Sequence, residues 1–322
     1  MKALTYRRYG SPDVLGIEDI ATPAPGPDDV LVRVRASVVT PPDVVARSGR
    51  PLFGRLYFGM LRPKYTVLGA AFAGDVTAVG DRVEGFAVGD RVVGTTAKFG
   101  AHAEYILVPG GGELVHMPAS LDYADVVAIV DGGMTALPFL RDVASIRPGQ
   151  RVLVNGASGC VGSAAVQLAK HLGAEVTGVC STPNLELVRS LGADHVIDYT
   201  VEDFTIAAGR YDVIFDTVNT SSFGRSRRAL APGGAYLATG PTLPLLLQMA
   251  WTSRFGGKRA AIAFTGLLPT PERTIDLAHL TALGEAGTLV PVIDRSYPLC
   301  DGADAHRYVE SKRKRGNVVV TM

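Results

Sequence analysis

The pattern of hydrophobic and polar positions divides the chain into two parts. From residue 1 to about residue 121, short apolar runs are separated by turn pairs such as Gly-Asp, and VLVRVRAS, VTAVG, DRVVG and AEYILVP are each predicted to form a strand. From residue 122 onwards, strands alternate with helical runs, as in RVLVN followed by SAAVQLAKHLG. Short apolar strands between helices are typical of a parallel sheet covered on both faces. The sequence therefore predicts a β-rich, barrel-like part and a doubly wound α/β part.

The C-terminal segment predicts a return to the first part. The run PERTIDLAHLTALGEAG predicts a long helix, and VVVTM near residue 322 predicts a final strand. Such a strand can complete the β-rich domain. We therefore expect one domain from residues 1–121 and 265–322, with an α/β domain at residues 122–264 inserted into it.

Glycines mark where helices of the α/β part should end. Gly173 and Gly192 follow helical runs, at positions where a left-handed C-cap is expected. The triplet Pro232-Gly233-Gly234 is expected to stop the helix before the fifth strand.

Composition and charge favour a globular protein whose partner is a small molecule. The 322 residues are 47% hydrophobic and 20% charged with a net charge of +1, so no strong field favours nucleic acid or an anionic membrane. The longest apolar stretch, LPLLLQMAW, is shorter than the roughly 20 residues that a bilayer span needs, and MKALTYRRYG lacks the apolar core of a signal peptide. Three well-separated cysteines favour a reducing, cytoplasmic location.

A glycine-rich turn, GASGCVG, follows the first strand of the α/β part and opens a helix. Gly156, Gly159 and Gly162 have the spacing GxxGxxG in the context that a dinucleotide-binding turn requires. Gly159 would let a pyrophosphate approach the backbone, and the helix N-terminus would supply N–H donors. The alternative is a tight turn without a ligand. On the first interpretation, the cofactor contacts include Ala157, Ser158, Gly159, Cys160 and Val161.

The end of the second strand of the α/β part bears on the type of nicotinamide cofactor. An NAD-preferring site usually presents Asp or Glu there, but this chain has Ser181, Thr182, Pro183 and Asn184. Because a small hydroxyl and free N–H groups can accept a 2′-phosphate, we predict that Ser181 and Asn184 bind NADPH, with NADH possible. The alternative is that Ser181 or Thr182 only caps the next helix.

Several motifs in order resemble the medium-chain dehydrogenase/reductase superfamily, in its zinc-free quinone oxidoreductase-like branch. They extend over essentially the whole chain: SVVTPPDVVARSG, VLGAAFAGDVTAVG, FAVGDRVVG, GAHAEYILVP, GGMTAL, RPGQRVLVNGASGCVG, LGADHVIDY and RGNVVVTM. The resemblance implies a Rossmann domain and a GroES-like domain. It also implies an NADPH-dependent oxidoreductase, and a homodimer formed through an edge strand near AAIAF.

The resemblance suggests further cofactor contacts. By their positions in the matching motifs, Thr135 is expected beside the nicotinamide ribose, and Tyr199 near the adenosine phosphate. Gly240 fits the need for a small residue near the nicotinamide half, and Asn317 is expected to reach the phosphates or the ribose. The alternative for each is an ordinary turn or packing position. At Pro183 the chain departs from relatives that often carry Lys or Arg, which weakens the expected NADPH preference.

The resemblance also implies that zinc is absent. Zinc-dependent members have a Cys as the first ligand and a His-Glu pair after a glycine. Here Gly69 is followed by Ala70 and Ala71, and Thr40 and Pro41 lie near the first ligand position. Methyl groups cannot bind a metal. We therefore expect no metal site.

Without a metal, hydrogen-bond donors must stabilise the charge that hydride transfer creates on the acceptor. Related reductases often have a tyrosine before the VLG motif, which makes Tyr57 and Tyr65 candidate proton donors; the alternative is that both rings only pack the cleft wall. Thr40 is a third candidate, in place of the asparagine of many relatives, and Asp43 is expected to cap a helix or form a salt bridge.

Two functions from different classes follow from the sequence. The first is a zinc-independent NADPH oxidoreductase that transfers hydride to a quinone or an α,β-unsaturated carbonyl compound, with a hydrophobic acceptor favoured by PTLPLLLQMAWTSRF. The second is an NADPH-binding sensor or structural protein with little turnover. An NAD(P)-linked alcohol dehydrogenase is a further alternative within the enzyme class.

Overall fold

The N-terminal part of the chain is built mainly from strands. The computed structural model describes residues 1–255 and 257–322. Up to residue 138 its helices and strands are β1 (Lys2–Thr5), β2 (Gly16–Asp19), β3 (Asp29–Val38), α1 (Pro41–Ser48), α2 (Arg55–Phe58), β4 (Ala71–Val79), β5 (Arg91–Thr95), β6 (Tyr105–Pro109), β7 (Leu114–His116) and α3 (Tyr123–Pro138).

The middle of the chain alternates strands and helices, and the C-terminal segment adds two helices and two strands. The middle elements are β8 (Arg151–Asn155), α4 (Cys160–His171), β9 (Glu175–Cys180), α5 (Leu185–Ser190), β10 (His195–Asp198), β11 (Tyr211–Asp216), α6 (Phe223–Ser226), β12 (Leu230–Ala238), α7 (Leu243–Phe255) and β13 (Arg259–Ala261). They are followed by α8 (Thr270–Glu285), β14 (Ile293–Pro298), α9 (Gly302–Glu310) and β15 (Asn317–Thr321).

One compact unit comprises residues 1–131, 268–287 and 291–322. The described strands of its main sheet run in the order β14-β15-β3-β4-β5-β7, and β6 pairs with β3. Along β3 the alternating residues Val30, Val32 and Val34 are buried, and they pack in one core with Phe72 and Ile106. The antiparallel pairing of β15 with β3 shows that the C-terminal strand returns to the N-terminal sheet, as its hydrophobic pattern predicts.

The second compact unit comprises residues 132–267 and 288–290. The described strands of its sheet run in the order β10-β9-β8-β11-β12-β13, and neighbouring strands are parallel. This is the doubly wound arrangement of a Rossmann fold, in which the order reverses between β8 and β11. The predicted fold class is therefore confirmed. We keep residues 1–121 with 265–322, and residues 122–264, as proposed domain boundaries.

The glycine signals are confirmed at two of three places. Gly173 (φ +82°) and Gly192 (φ +96°) adopt the left-handed conformation just after α4 and α5. The third prediction is wrong, because Pro232-Gly233-Gly234 lies within β12, whereas α6 already ends at Ser226. There β12 pairs Leu230 with Tyr211 and then Ala235 with Val213, so the triplet forms a bulge inside the strand.

Within the described part of the chain, one helical segment is long and apolar enough to cross a membrane by length and composition. It is Tyr123–Val143, and 72% of its most apolar window is buried inside the fold. Burial of this kind is typical of a core helix, so the segment gives only weak support for a membrane span.

Candidate active site

The glycine-rich turn after β8 is held by the neighbouring strand. The backbone N–H groups of Gly156 and Ala157 both donate to the Val179 carbonyl of β9, at 3.0 Å each. Gly156 has φ +83°, and a Cβ on it would lie 2.5 Å from Val218 Cγ1, so this position requires glycine for both conformation and space. The turn therefore presents the start of α4 in one fixed place.

The other two glycines of the turn have opposite environments. A Cβ on Gly162 would lie 2.0 Å from the Gly156 carbonyl oxygen, so Gly162 allows α4 to pack closely on the turn. Gly159, the N-cap of α4, has φ −81°, and among the described residues beyond its chain neighbours a Cβ there would meet the Gly156 carbonyl oxygen alone, at 3.4 Å. The fold therefore does not need glycine at position 159. Position 159 is thus open enough for a ligand to approach the backbone, and the free amides of a helix N-terminus are donors of the kind that bind a phosphate group.

A hydrogen-bonded cluster lies beside the turn. Asn184 Nδ2 donates to Ser158 Oγ at 3.2 Å and to Ser181 Oγ at 3.1 Å. These contacts bring the two predicted 2′-phosphate residues together with the glycine turn. Ser181 is the N-cap of the short helical turn Thr182–Asn184, but its side chain makes no capping hydrogen bond. Its hydroxyl therefore faces the cluster, which the capping interpretation does not explain.

Other predicted cofactor residues of the second unit lie at the ends of elements or on α3. Tyr199 follows β10, where its N–H donates to the Cys180 carbonyl at 3.1 Å and its side chain is 61% exposed. Gly240 follows β12, and a Cβ on it would lie 2.8 Å from Asn219 Nδ2, so a larger residue would have to displace the Asn219 side chain. Thr135 is half-buried on α3. Cys160 and Val161 form the first turn of α4, where Cys160 is buried.

Sequence reasoning missed a buried carboxylate at the carboxyl end of β11. Asp216 is 0% exposed and accepts hydrogen bonds from Asn155 Nδ2 (3.0 Å), Tyr236 Oη (2.9 Å) and the N–H groups of Val218 (3.2 Å) and Ser221 (2.9 Å). It thereby fixes the loop that packs against the glycine turn. An aspartate that ends an apolar strand, as in VIFD, was the available signal.

In the first unit, Thr40 and Asp43 form a capping box at the start of α1. The Thr40 N–H (2.8 Å) and the Thr40 hydroxyl (2.5 Å) both donate to Asp43 Oδ2. The other carboxylate oxygen, Oδ1, accepts from the Gly69 N–H at 2.9 Å. The expected capping role of Asp43 is present. Because the Thr40 hydroxyl proton is directed to this carboxylate, the hydroxyl can accept from a ligand but has no second proton to donate.

The positions of the expected zinc ligands do not fit a metal. Ala70 and Ala71 follow Gly69, and among residues 1–255 and 257–322 no group of three or more His, Cys, Asp or Glu side chains could hold a metal ion. The nearby His102 packs against Gly69, and its Nε2 lies 3.0 Å from the Val38 carbonyl oxygen. The residues present therefore lack the donor set that zinc requires.

The two candidate tyrosines belong to an aromatic cluster of the first unit. The rings of Tyr57 and Phe58 are 5.0 Å apart, and those of Tyr65 and Phe99 are 5.5 Å apart. Desolvation, and then the neighbouring Tyr65, raises the pKa of Tyr57 above its ordinary value. Tyr57 therefore keeps its proton at neutral pH, as a proton donor must, although its hydroxyl also lies 3.4 Å from the Ala97 carbonyl oxygen.

Asn317, the remaining predicted cofactor residue, is a buried residue of the first unit. Its Nδ2 donates to the carbonyls of Ala128 (3.1 Å) and Val292 (3.2 Å), and the residue is 3% exposed. Both amide hydrogens are thus used to hold β15 to its neighbours, so this side chain has no N–H to donate to a phosphate or ribose.

Comparisons with known proteins match this architecture. Residues 26–119 match the family model of the alcohol dehydrogenase GroES-like domain, and residues 191–320 match that of the zinc-binding dehydrogenases. A quinone oxidoreductase from Pseudomonas aeruginosa is 32% identical over 99% of this chain and 99% of its own length. The chain belongs to the medium-chain dehydrogenase/reductase superfamily. Within it, this oxidoreductase falls in the quinone oxidoreductase-like branch.

Further relatives of this quinone oxidoreductase-like chain have related names. A 2-methylene-furan-3-one reductase from Solanum lycopersicum is 33% identical over 99% of the chain and 79% of its own length. The solved structure of the Escherichia coli quinone oxidoreductase complexed with NADPH superposes with a TM-score of 0.86 at 25% identity, covering 100% of both chains. The predicted family is therefore confirmed.

Proposed function

We propose that this oxidoreductase is a zinc-independent, NADPH-dependent reductase of quinones or α,β-unsaturated carbonyl compounds. The observation that carries the proposal is the pairing of an open helix N-terminus at Gly159 with the Ser158, Asn184 and Ser181 cluster. Together they offer donors for a pyrophosphate and for a 2′-phosphate. NADH is the alternative reductant.

The chain's own residues would bind the cofactor at named atoms. The backbone amides at the start of α4 would hold the pyrophosphate, with Ala157, Ser158, Gly159, Cys160 and Val161 around it. Ser181 and Asn184 would hold the adenosine ribose end, and we keep Thr135, Tyr199 and Gly240 as proposed contacts. Bound NADPH would supply a hydride to the acceptor.

We propose that a tyrosine of the aromatic cluster donates the proton to the acceptor. Because the Thr40 hydroxyl proton is directed to Asp43, we assign to Thr40 at most an accepting contact. Tyr57 and Tyr65 are the proposed donors to the acceptor oxygen, and desolvation keeps the pKa of Tyr57 above its ordinary value. A conjugated carbonyl delocalises the negative charge that it gains, so a single well-placed hydroxyl can replace a metal.

The acceptor is proposed to be hydrophobic. Helix α7 exposes Leu243 (71%), Leu247 (64%) and Trp251 (66%), and apolar side chains so exposed are typical of a surface that binds an apolar partner. These side chains match an acceptor with aromatic or aliphatic substituents better than a small alcohol.

We also propose a homodimer and a cytoplasmic location. Strand β13 lies at the edge of its sheet beside β12, and an edge strand offers unpaired backbone groups to a second copy. Light scattering that shows a monomer at all concentrations would contradict the dimer.

No two of the three cysteines, all within the described residues, are joined by a disulfide, which suits a reducing compartment.

Steady-state consumption of NADPH with a panel of quinones, enones and aldehydes tests the proposed activity. We expect turnover with quinones or enones that a chelator does not change. Cofactor binding without consumption on any acceptor would instead favour a sensor or structural protein. Oxidation of alcohols that a chelator abolishes would favour a zinc-dependent alcohol dehydrogenase.

A further inference from the structure

A carboxylate from the third strand of the α/β sheet lies beside the proposed 2′-phosphate position. Asp198 is the last residue of β10, and it is in register with Cys180, the last residue of β9. Ser181 follows directly, so the parallel pairing brings Asp198 to the turn after β9. The end of β9 itself has no acid in the sequence, but the fold supplies one from the neighbouring strand.

Most hydrogen-bond donors of residues 182–184 already bond other groups of the protein. The Thr182 hydroxyl donates to Asp198 Oδ2, and a weaker backbone interaction of Thr182 also lowers the pKa of this carboxylate. Pro183 has no N–H, and the Asn184 N–H donates to the Ser181 carbonyl at 2.9 Å. Residues 183 and 184 therefore offer no backbone N–H to a phosphate.

The donors that remain at the turn are few. Both hydrogens of Asn184 Nδ2 go to Ser158 and Ser181, so the hydroxyl hydrogens of those two serines are what the cluster can offer to a phosphate. The one basic residue of α5, Arg189, pairs with Glu186.

The state of Asp198 is set by its own hydrogen bonds. Donation from Thr182, and then from Thr200, lowers the pKa of Asp198 below its ordinary value. Since an ordinary aspartate is already ionised at neutral pH, this shift keeps Asp198 negatively charged there. A phosphate dianion bound at Ser181 would therefore face a carboxylate across the turn.

We infer that Asp198 is a specificity-determining residue that opposes the 2′-phosphate of NADPH, so that the enzyme accepts both NADPH and NADH instead of selecting NADPH strongly. The inference rests on the proposed function, because it assumes that a nicotinamide dinucleotide binds at this turn. Asp198 would thus influence coenzyme specificity from β10, although the residues at the end of β9 include no acid.

The variant Asp198→Asn tests the inference, and the chain offers a matched control. Asp198 Oδ1 accepts from the N–H (2.9 Å) and hydroxyl (2.7 Å) of Thr200, whereas Asp203 Oδ1 accepts from the same two groups of Thr205, also at 2.9 and 2.7 Å. Asp203→Asn therefore removes the same charge from the same kind of turn, but at a position that does not contact Thr182.

Dissociation constants for NADPH and NADH would be measured by fluorescence titration for the wild type and both variants. We expect Asp198→Asn to bind NADPH about three- to tenfold more tightly, as removal of one unit charge several ångströms from a phosphate implies, while its NADH affinity stays the same. Asp203→Asn should change neither. The gap between the wild type and Asp198→Asn should also narrow at high salt, because salt screens the repulsion.

The outcomes separate the two proposals. If the wild type binds both coenzymes but Asp198→Asn leaves NADPH affinity unchanged, or shifts both affinities together, the role of Asp198 is overturned and the proposed function stands. A wild-type enzyme that already prefers NADPH by orders of magnitude also overturns it. If the wild type binds neither coenzyme, the proposed function falls, and this inference falls with it.

Discussion

The contrast between Gly159 and Gly162 separates binding from folding within one turn. Gly159→Ala places a methyl group whose nearest described contact beyond the adjoining residues is the Gly156 carbonyl oxygen, at 3.4 Å, and alanine tolerates φ −81°. Alanine is a poor N-cap, but it also lowers the entropy of the unfolded chain, so the net change in unfolding free energy should be within about 1 kcal/mol. The melting temperature should then shift by no more than about 4 °C.

The same methyl group should obstruct the cofactor. A phosphate at the start of α4 must approach the backbone closely, and a Cβ on residue 159 would displace it from charge-assisted hydrogen bonds that contribute roughly 1.5–3 kcal/mol. This corresponds to a loss of NADPH affinity of about 10- to 150-fold. Coenzyme titration and thermal melting without coenzyme measure the two effects on the same sample.

Gly162→Ala is the matched control. Its Cβ would lie 2.0 Å from the Gly156 carbonyl oxygen and 2.9 Å from Ala157 Cα, and backbone atoms cannot move aside easily. We expect a loss of about 1–3 kcal/mol in unfolding free energy. The reasoning is refuted if Gly159→Ala binds NADPH as tightly as the wild type, or if it melts as low as Gly162→Ala.

Three further predictions concern the first unit. Replacing the donor among Tyr57 and Tyr65 by phenylalanine should lower kcat by about 100-fold, and wild-type kinetics in Tyr57→Phe or Tyr65→Phe would exclude that residue as the proton donor. Asp43→Asn should cost about 1–3 kcal/mol, because an amide NH2 would face one of the donors that Asp43 now accepts from, and an unchanged denaturation midpoint would contradict this. Burial, followed by the charges of His102 and Arg47, holds the pKa of His306 well below its ordinary value. Below about pH 6.5 the unfolded chain therefore binds a proton at this histidine that the folded chain does not bind. The free energy of unfolding should fall as the pH is lowered through this range, by up to roughly 1.4 kcal/mol per pH unit. Denaturant melts of the wild type and His306→Gln at neutral and mildly acidic pH should show a smaller acid loss in the variant.

The sequence predicts most of the second unit because its signals are local. Unbroken apolar strands, the glycine turn and the helix-ending Gly173 and Gly192 each depend on residues close in the chain, and the structure places them as expected. The prediction for Pro232-Gly233-Gly234 is wrong because the same local composition suits the end of a helix or a bulge in a strand. Only the pairing of Leu230 with Tyr211 and of Ala235 with Val213 decides between them.

Parts of the candidate site could not be predicted because they depend on register and on packing. Asp198 reaches the turn after β9 only because β10 pairs with β9 in one register, which brings it next to Cys180 from 18 positions away. Asn317 fits the family pattern of a cofactor contact, yet its amide hydrogens bond the carbonyls of Ala128 and Val292. A motif supplies the residue type, but only the fold shows which of its hydrogen-bonding groups are already used.

The pairing of β15 with β3 constrains how the chain folds during synthesis. Val319 pairs with Val38, and β14 joins the sheet only through β15, so the N-terminal sheet lacks both strands until residues 293–321 have left the ribosome. The α/β sheet between them is complete once Ala261 has emerged. We therefore expect the nucleotide-binding unit to fold first. Until β15 is synthesised, the edge of β3 stays unpaired and prone to aggregation.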